Sequence, residues 1–288
     1  MKRVGIDIGG TNLRCAIFGE NHQLIDKFKC PNNKELTVEE NLDQLVQFIQ
    51  SYKDIESIGI GCPGPLDAKK GIVLNPPNLY GWDNFEIVKY FEEHTHIPTK
   101  ITNDVNVAGL AEALLGAGKD YESVYFITMS TGVGGAYVFR KELINGVSTC
   151  CGEIYNMIVN DDTYCHKGCN PGSLNEQCGG PALERIASQA YGTKVTTKEL
   201  FDRFYAGEEI AKKIVEKSAD LMGRGIANIC TVIDPEIYII GGSIARLNPQ
   251  YTQMCIEAAK KYYIKPEYLQ WKYAQFGDDA GLIGAALL

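Results

Sequence analysis

One figure occurs twice in this chain and restricts the folds open to it: an apolar strand, a glycine turn, and a second strand that returns beside the first. Val4-Gly5-Ile6-Asp7-Ile8 reads as a strand, Gly9-Gly10-Thr11-Asn12 as the turn, and Leu13 to Phe18 as the returning strand of a hairpin. Val124 to Met129, the turn Ser130-Thr131-Gly132-Val133-Gly134-Gly135, and Ala136 to Phe139 repeat the figure. The period of about 120 residues is too long for a solenoid and predicts two related half-molecules.

The segments around these hairpins alternate between helical and strand patterns. Leu42, Leu45, Val46 and Ile49 recur at helical spacing, and Ile55 to Ile60 is a short apolar strand. A second helix carries Ile87, Val88 and Phe91, a strand follows at Thr99 to Thr102, and Asn106 to Leu115 is rich in helix-favouring Ala and Leu. A long helix over Glu208 to Ile233 is broken by Asp234-Pro235 before the strand Glu236 to Ile240, and Ala280 to Leu288 closes the chain as a helix. Gly59-Ile60-Gly61-Cys62-Pro63-Gly64 satisfies the spacing of a dinucleotide loop. Pro63 and Pro65 stand where that loop needs a helix start, so the segment is read as a tight loop instead.

Composition removes several classes of function. The chain has 288 residues with 45% hydrophobic and 22% charged, which excludes disorder. Its 28 Lys and Arg against 36 Asp and Glu give a net charge of −8, and no basic block tracks a phosphate backbone, so nucleic acid is excluded as a partner. Asp7 interrupts the first apolar stretch before a signal-peptide core forms. The longest apolar runs are about half the ~20 residues of a membrane span, so no membrane partner is expected. Ten cysteines in a chain of this length suit a reducing compartment, and a cytoplasmic location is expected.

Two glycine turns at strand ends can aim backbone N–H groups at an anion, because glycine has no Cβ to block its approach; phosphate is the natural ligand. Asp7, just before the first turn, is placed to hold Mg²⁺ directly or through water. Gly241-Gly242 supplies a further glycine pair after a strand. Asn103-Asp104-Val105-Asn106 stands where a strand gives way to a helix. Asp104 is there either a helix N-cap or a catalytic carboxylate facing a cleft.

Taken in order, Gly5 to Thr11, Cys62-Pro63-Gly64, Asn103 to Asn106, Ser130 to Gly135, Gly152-Glu153 and Ile240-Gly241-Gly242 resemble the sugar kinases of the ROK family over the chain from Val4 to Leu288. The resemblance implies an α/β, two-domain ribonuclease-H-like fold of the hexokinase and actin type, with a cleft between the domains. The expected domains are a smaller one of residues 1–107 and 277–288 and a larger one of residues 108–276. It implies that Asp7, Gly9, Gly10, Thr11, Asn12, Thr131, Gly132, Gly241 and Gly242 receive ATP, with Mg²⁺. By the same resemblance Asp104 is the general base that takes the proton of the attacking hydroxyl, usually the one on C6. Gly64, Asn78, Asn103 and Asp104 from one half, and Glu153, Asn156 and Asn175 from the other, are expected to contact the sugar.

The chain departs from the family pattern in one segment. Asn156 stands where many members have a zinc-binding histidine, and in the run Cys165 to Asn175 Ser173 replaces the last cysteine and Asn175 a glutamate. Loss of two ligands predicts no structural zinc; Cys165, His166, Cys169 and Cys178 are the alternative ligand set. Variants poor in zinc resemble N-acetylmannosamine and β-glucoside kinases, and Leu74 to Leu79 favours N-acetylmannosamine. The alternatives are β-glucoside kinase, glucokinase, allose kinase and fructokinase. A sugar-responsive repressor without its DNA-binding domain is the reading from a different class. A homodimer is implied.

Overall fold

The computed structural model describes residues 1–166 and 168–288. In chain order the elements are β1 (Lys2–Ile8), β2 (Asn12–Phe18), β3 (Leu24–Pro31), α1 (Val38–Gln50), β4 (Ile55–Cys62), β5 (Leu66–Asp67), β6 (Ile72–Val73), α2 (Ile87–Thr95), β7 (Thr99–Asn103) and α3 (Asp104–Leu114). They continue as β8 (Ser123–Met129), β9 (Val133–Phe139), β10 (Glu142–Leu143), α4 (Leu174–Cys178), α5 (Gly180–Tyr191), α6 (Thr197–Tyr205), α7 (Glu209–Val232), β11 (Ile237–Gly241), α8 (Ser243–Leu247), α9 (Pro249–Tyr262), β12 (Trp271–Tyr273) and α10 (Ala280–Ala285). Among the described residues no helix is long and apolar enough to cross a membrane.

The chain forms two compact units, Met1–Lys119 with Lys141–Cys151 and Gln275–Leu288, and Asp120–Arg140 with Gly152–Ala274. The expected division after residue 107 differs from this one. All of α3 lies in the first unit, where it packs on α10, and residues 141–151 join that unit as well. Buried Glu112 of α3 shows what pins the returning C-terminal segment. Its carboxylate accepts the backbone N–H groups of Ala117 at 3.1 Å and of Gln275 and Phe276 at 2.8 Å each.

The repeated sequence figure is a repeated topology. In the first unit β2-β1-β4-β7 are neighbours in that order, with β1 antiparallel to β2 and parallel to β4, and β4 parallel to β7. In the second unit β9-β8-β11-β12 follow the same order and directions. β3 extends the first sheet beyond β2. The parallel strands are apolar on both faces, as strands covered by helices must be. Val4, Ile6, Ile8, Ile58 and Ile60 are each at most 1% exposed, as are Ile237, Ile239 and Ile240 in the second unit.

Helix positions follow from capping and periodicity. Thr37 caps α1 through a capping box with Glu40, and Val38, Leu42, Leu45, Val46 and Ile49 form its buried stripe. α7 ends at Val232, before the Asp234-Pro235 break that the sequence placed there. α10 lies close on the first sheet because Gly59 presents no side chain to it; a Cβ there would fall 1.8 Å from the Ala285 carbonyl oxygen. Trp82 is 1% exposed and packs edge-on against Phe85, whereas Tyr80 nearby is 79% exposed.

Candidate active site

In the first unit the chemistry gathers where adjacent parallel strands end. Asp7 is the last residue but one of β1, Cys62 ends β4 with Pro63-Gly64 after it, and Asn103-Asp104 join β7 to α3. Carboxyl ends of parallel strands are where open α/β sheets receive ligands, because helix starts and loops converge there. β4 is followed by the Gly64–Pro65 cis peptide and β5, with no helix start, so the Gly59 to Gly64 spacing builds no dinucleotide loop.

Asp104 is the first residue of α3, and the cap itself is Asn103, whose side chain accepts the Val105 N–H at 2.8 Å. Asp104 Oδ1 accepts the same N–H at 2.9 Å. Burial pushes the Asp104 carboxyl above its ordinary value, the Val105 N–H pulls it back, and the negative charge of Asp7 pushes it up again. Asn103 Nδ2 lies within 3.6 Å of where a Gly64 side chain would begin, so the Gly64 loop passes directly over the start of α3. One turn along the helix, Asn106 is wholly buried; its Nδ2 donates to Thr102 Oγ1 at 3.3 Å and its Oδ1 has no partner.

Asp7 does not face this group as a bare carboxylate. Its Oδ2 accepts from Arg14 Nε at 2.7 Å and from Arg14 Nη2, and Arg14 Nη1 donates to the Asp278 carbonyl at 2.8 Å. Arg14 belongs to none of the motifs singled out in the sequence, yet Asp7 and Arg14 are cross-strand partners of the β1–β2 hairpin, where opposite charges attract. With Oδ2 engaged by a guanidinium, Asp7 is a carboxylate that could still hold a Mg²⁺ ion, with its other oxygen as the donor.

The first glycine turn, Gly9-Gly10-Thr11, is closed by the Gly9 N–H donating to the Asn12 carbonyl at 3.0 Å. Gly10 is glycine for a reason absent from the sequence argument. A Cβ on it would lie 2.7 Å from the Asn78 carbonyl oxygen, so this turn rests on the loop that carries Asn78.

The second unit has a matching turn. The Ser130 N–H donates to the Gly132 carbonyl at 2.9 Å, and Ser130 Oγ meets Ser243 Oγ at 2.9 Å, which brings Thr131-Gly132 and Gly241-Gly242 together. Gly242 has φ of 91°, and a Cβ there would fall 2.2 Å from the Met129 carbonyl, so no other residue fits. Asn175, expected at the sugar, holds this turn: its Oδ1 accepts the Val133 N–H at 3.1 Å. Glu153 follows Gly152, whose carbonyl accepts the Tyr125 hydroxyl at 2.8 Å and which itself packs against β9.

The sequence profile of the ROK family matches residues 3–288. The chain belongs to the ROK family. A ROK hexokinase from Thermus thermophilus superimposes with a TM-score of 0.92 at 35% identity, covering 100% of this chain and 97% of that one. A ROK glucokinase from Streptomyces griseus in complex with glucose and AMPPNP has a TM-score of 0.79 at 26% identity, covering 99% and 98%. The N-acetylmannosamine kinase of Escherichia coli K12 is 32% identical over 100% of this chain and 98% of its own.

In this ROK chain the segment that departs from the zinc pattern is tied by amides. Asn156 Oδ1 accepts the Asn170 N–H, and Asn170 Nδ2 returns a bond of 3.4 Å to the Asn156 carbonyl. Asn156, expected at the sugar, is thus engaged in holding its own segment. The alternative ligand set is not assembled. Cys178 is wholly buried in α4, its thiol donating to the Ser218 carbonyl, and burial pushes it up to about 12; Cys165 is exposed. Among the described residues no group of three or more His, Cys, Asp or Glu is arranged to hold a metal ion.

Proposed function

We propose that this ROK protein is an ATP-dependent sugar kinase that phosphorylates the C6 hydroxyl of a hexose or N-acylhexosamine, with N-acetylmannosamine as its preferred sugar. The observation that carries the reading is Asp104. It is a carboxylate at the start of α3, with its basicity raised by burial and flanked by Asn103 and the Gly64 loop. A base of raised pKa takes the hydroxyl proton more readily as the sugar oxygen bonds to the γ-phosphorus. The bond from that phosphorus to the bridging oxygen breaks, ADP leaves, and Asp104 later releases its proton to water.

The remaining residues take roles by their placement. Gly9, Gly10, Thr11 and Asn12, and separately Thr131, Gly132, Gly241 and Gly242, are the proposed phosphate contacts, of which Thr11 and Thr131 are exposed and Gly241 is buried; Asp7 would hold Mg²⁺. The ion neutralises charge on the β- and γ-phosphates when bound. Gly64, Asn78, Asn103 and Glu153 are the proposed sugar contacts, and Asn156 and Asn175 support them through the segments they hold. N-acetylmannosamine is favoured by Leu74 to Leu79 and by the E. coli relative.

A coupled ADP-release screen over N-acetylmannosamine, N-acetylglucosamine, glucose, mannose, allose, fructose and cellobiose tests the reading. Turnover is expected with N-acetylmannosamine above the others, and Asp104→Asn is expected to lower it by about 10²-fold or more while sugar binding persists. A better sugar than N-acetylmannosamine overturns the substrate; turnover of the variant within threefold overturns the role of Asp104.

A further inference from the structure

A cavity of about 520 Å³ opens in the second unit, walled by α4, α5, α7 and the segment at Asp162 and Tyr164. None of the residues assigned to sugar or ATP lines it. In a chain of net charge −8 its lining carries three cations, Arg185, Lys213 and Lys217, against one carboxylate, Asp162. Lys213 and Lys217 are one turn apart on α7 and exposed, and Arg185 projects from α5. Among the described residues no carboxylate lies within ion-pair distance of any of the three.

Arg185 is held in place before any ligand arrives. Its guanidinium lies 3.7 Å from the centre of the Tyr164 ring, and its Nη2 donates to the Glu176 carbonyl at 2.8 Å. Its Nε is sealed from solvent and has no partner, so that atom is out of a ligand's reach. Asp162 does not quench this charge at close range. It accepts the Tyr164 N–H at 3.0 Å and Gln177 Nε2 at 3.0 Å, which hold its carboxyl below its ordinary value, with Arg185 and Lys217 lowering it further.

We propose that this cavity is a second ligand site, separate from the kinase site, for a phosphate group that rests on Arg185, Lys213 and Lys217. A phosphate dianion presents three acceptor oxygens, enough for three separate cations, and pairs with guanidinium through charge-assisted bonds. The cavity volume matches a small molecule rather than a macromolecule. Beyond the cations, Ile186, Ile214 and Gln189 line space for a body such as a sugar ring. The group is supplied either by a phosphate monoester or by free phosphate.

Isothermal titration with glucose 6-phosphate, inorganic phosphate and glucose, on the wild type and the K213Q/K217Q variant, tests the proposal. The two lysines are exposed, and circular dichroism checks that the variant keeps its fold. Both phosphate-bearing probes are expected to bind the wild type saturably and to lose at least about tenfold in affinity in the variant. An advantage of about tenfold for glucose 6-phosphate assigns the monoester, and equal affinity assigns free phosphate; either upholds the site. Equal affinity in wild type and variant would place binding elsewhere and overturn the proposal, as would no saturable binding up to about 10 mM.

Discussion

Replacing Gly10 by alanine asks whether the first glycine turn serves its ligand alone or also its neighbour. The new Cβ would lie 2.7 Å from the Asn78 carbonyl oxygen and 3.8 Å from the Asn78 Cβ. Close carbon–oxygen contacts in proteins settle at about 3.3 Å or more, so roughly half an ångström must be found. The Asn78 loop has little to give, since Leu79 beside it is 3% exposed and its N–H donates to the Pro76 carbonyl at 3.2 Å. Overpacking against a backbone of this kind costs roughly 1–3 kcal/mol. Gly132→Ala is the comparison. Its Cβ would lie 3.1 Å from Asn175 Oδ1, a side-chain atom that need give only a few tenths of an ångström and can keep its bond from the Val133 N–H, and roughly 0.5 kcal/mol is expected. At about 2–4 °C per kcal/mol, thermal unfolding should separate the two variants by several degrees. In kinetics Gly10→Ala should raise KM for sugar as well as for ATP, because Asn78 moves, while Gly132→Ala should raise KM for ATP alone. If Gly10→Ala melts with the wild type and leaves the KM for sugar unchanged, the turn does not rest on the loop.

Because Asp104 must be ionised to accept a proton and its pKa is raised, kcat/KM should fall on the acid side above the ordinary carboxylate range. Arg14→Gln, which leaves Asp7 uncompensated, should move that limb to higher pH; a shift to lower pH would refute the coupling. A carboxylate of raised folded-state pKa costs stability above its unfolded value, so Asp104→Asn should unfold at higher urea than the wild type at pH 7, with the gain vanishing as pH falls below the ordinary range for Asp. Elemental analysis should find less than about 0.2 zinc per chain, and chelators should leave the fold intact; about one zinc per chain would refute this. Asn156→Ala removes the acceptor for the Asn170 N–H and should cost about 1 kcal/mol while speeding proteolysis near residues 161–170, and unchanged cleavage would show that the amide pair does not hold the segment.

What can be read from a single stretch of chain was legible in this sequence: the two hairpins, the order of helices and strands, the break at Asp234-Pro235, and the ordered motifs that mark the family. These depend on residues a few positions apart, where periodicity, turn chemistry and capping act. The duplication was visible for the same reason, since each copy of strand, glycine turn and strand is local. The domain boundary was not. It turns on Glu112 gathering N–H groups from residues 275 and 276, and no local pattern announces a bond across that separation. Nor did the sequence reveal that Gly10 answers to Asn78, that Asn175 serves a glycine turn, or that Arg185, Lys213 and Lys217 from two helices face one cavity. Arg14 lay in between, because its pairing with Asp7 follows from the hairpin register once the turn is recognised. Residue types and their spacing determined which backbone shapes were available and which groups carry chemistry. Burial and the meeting of distant segments decided which of those groups are already engaged, and so which remain to act on a ligand.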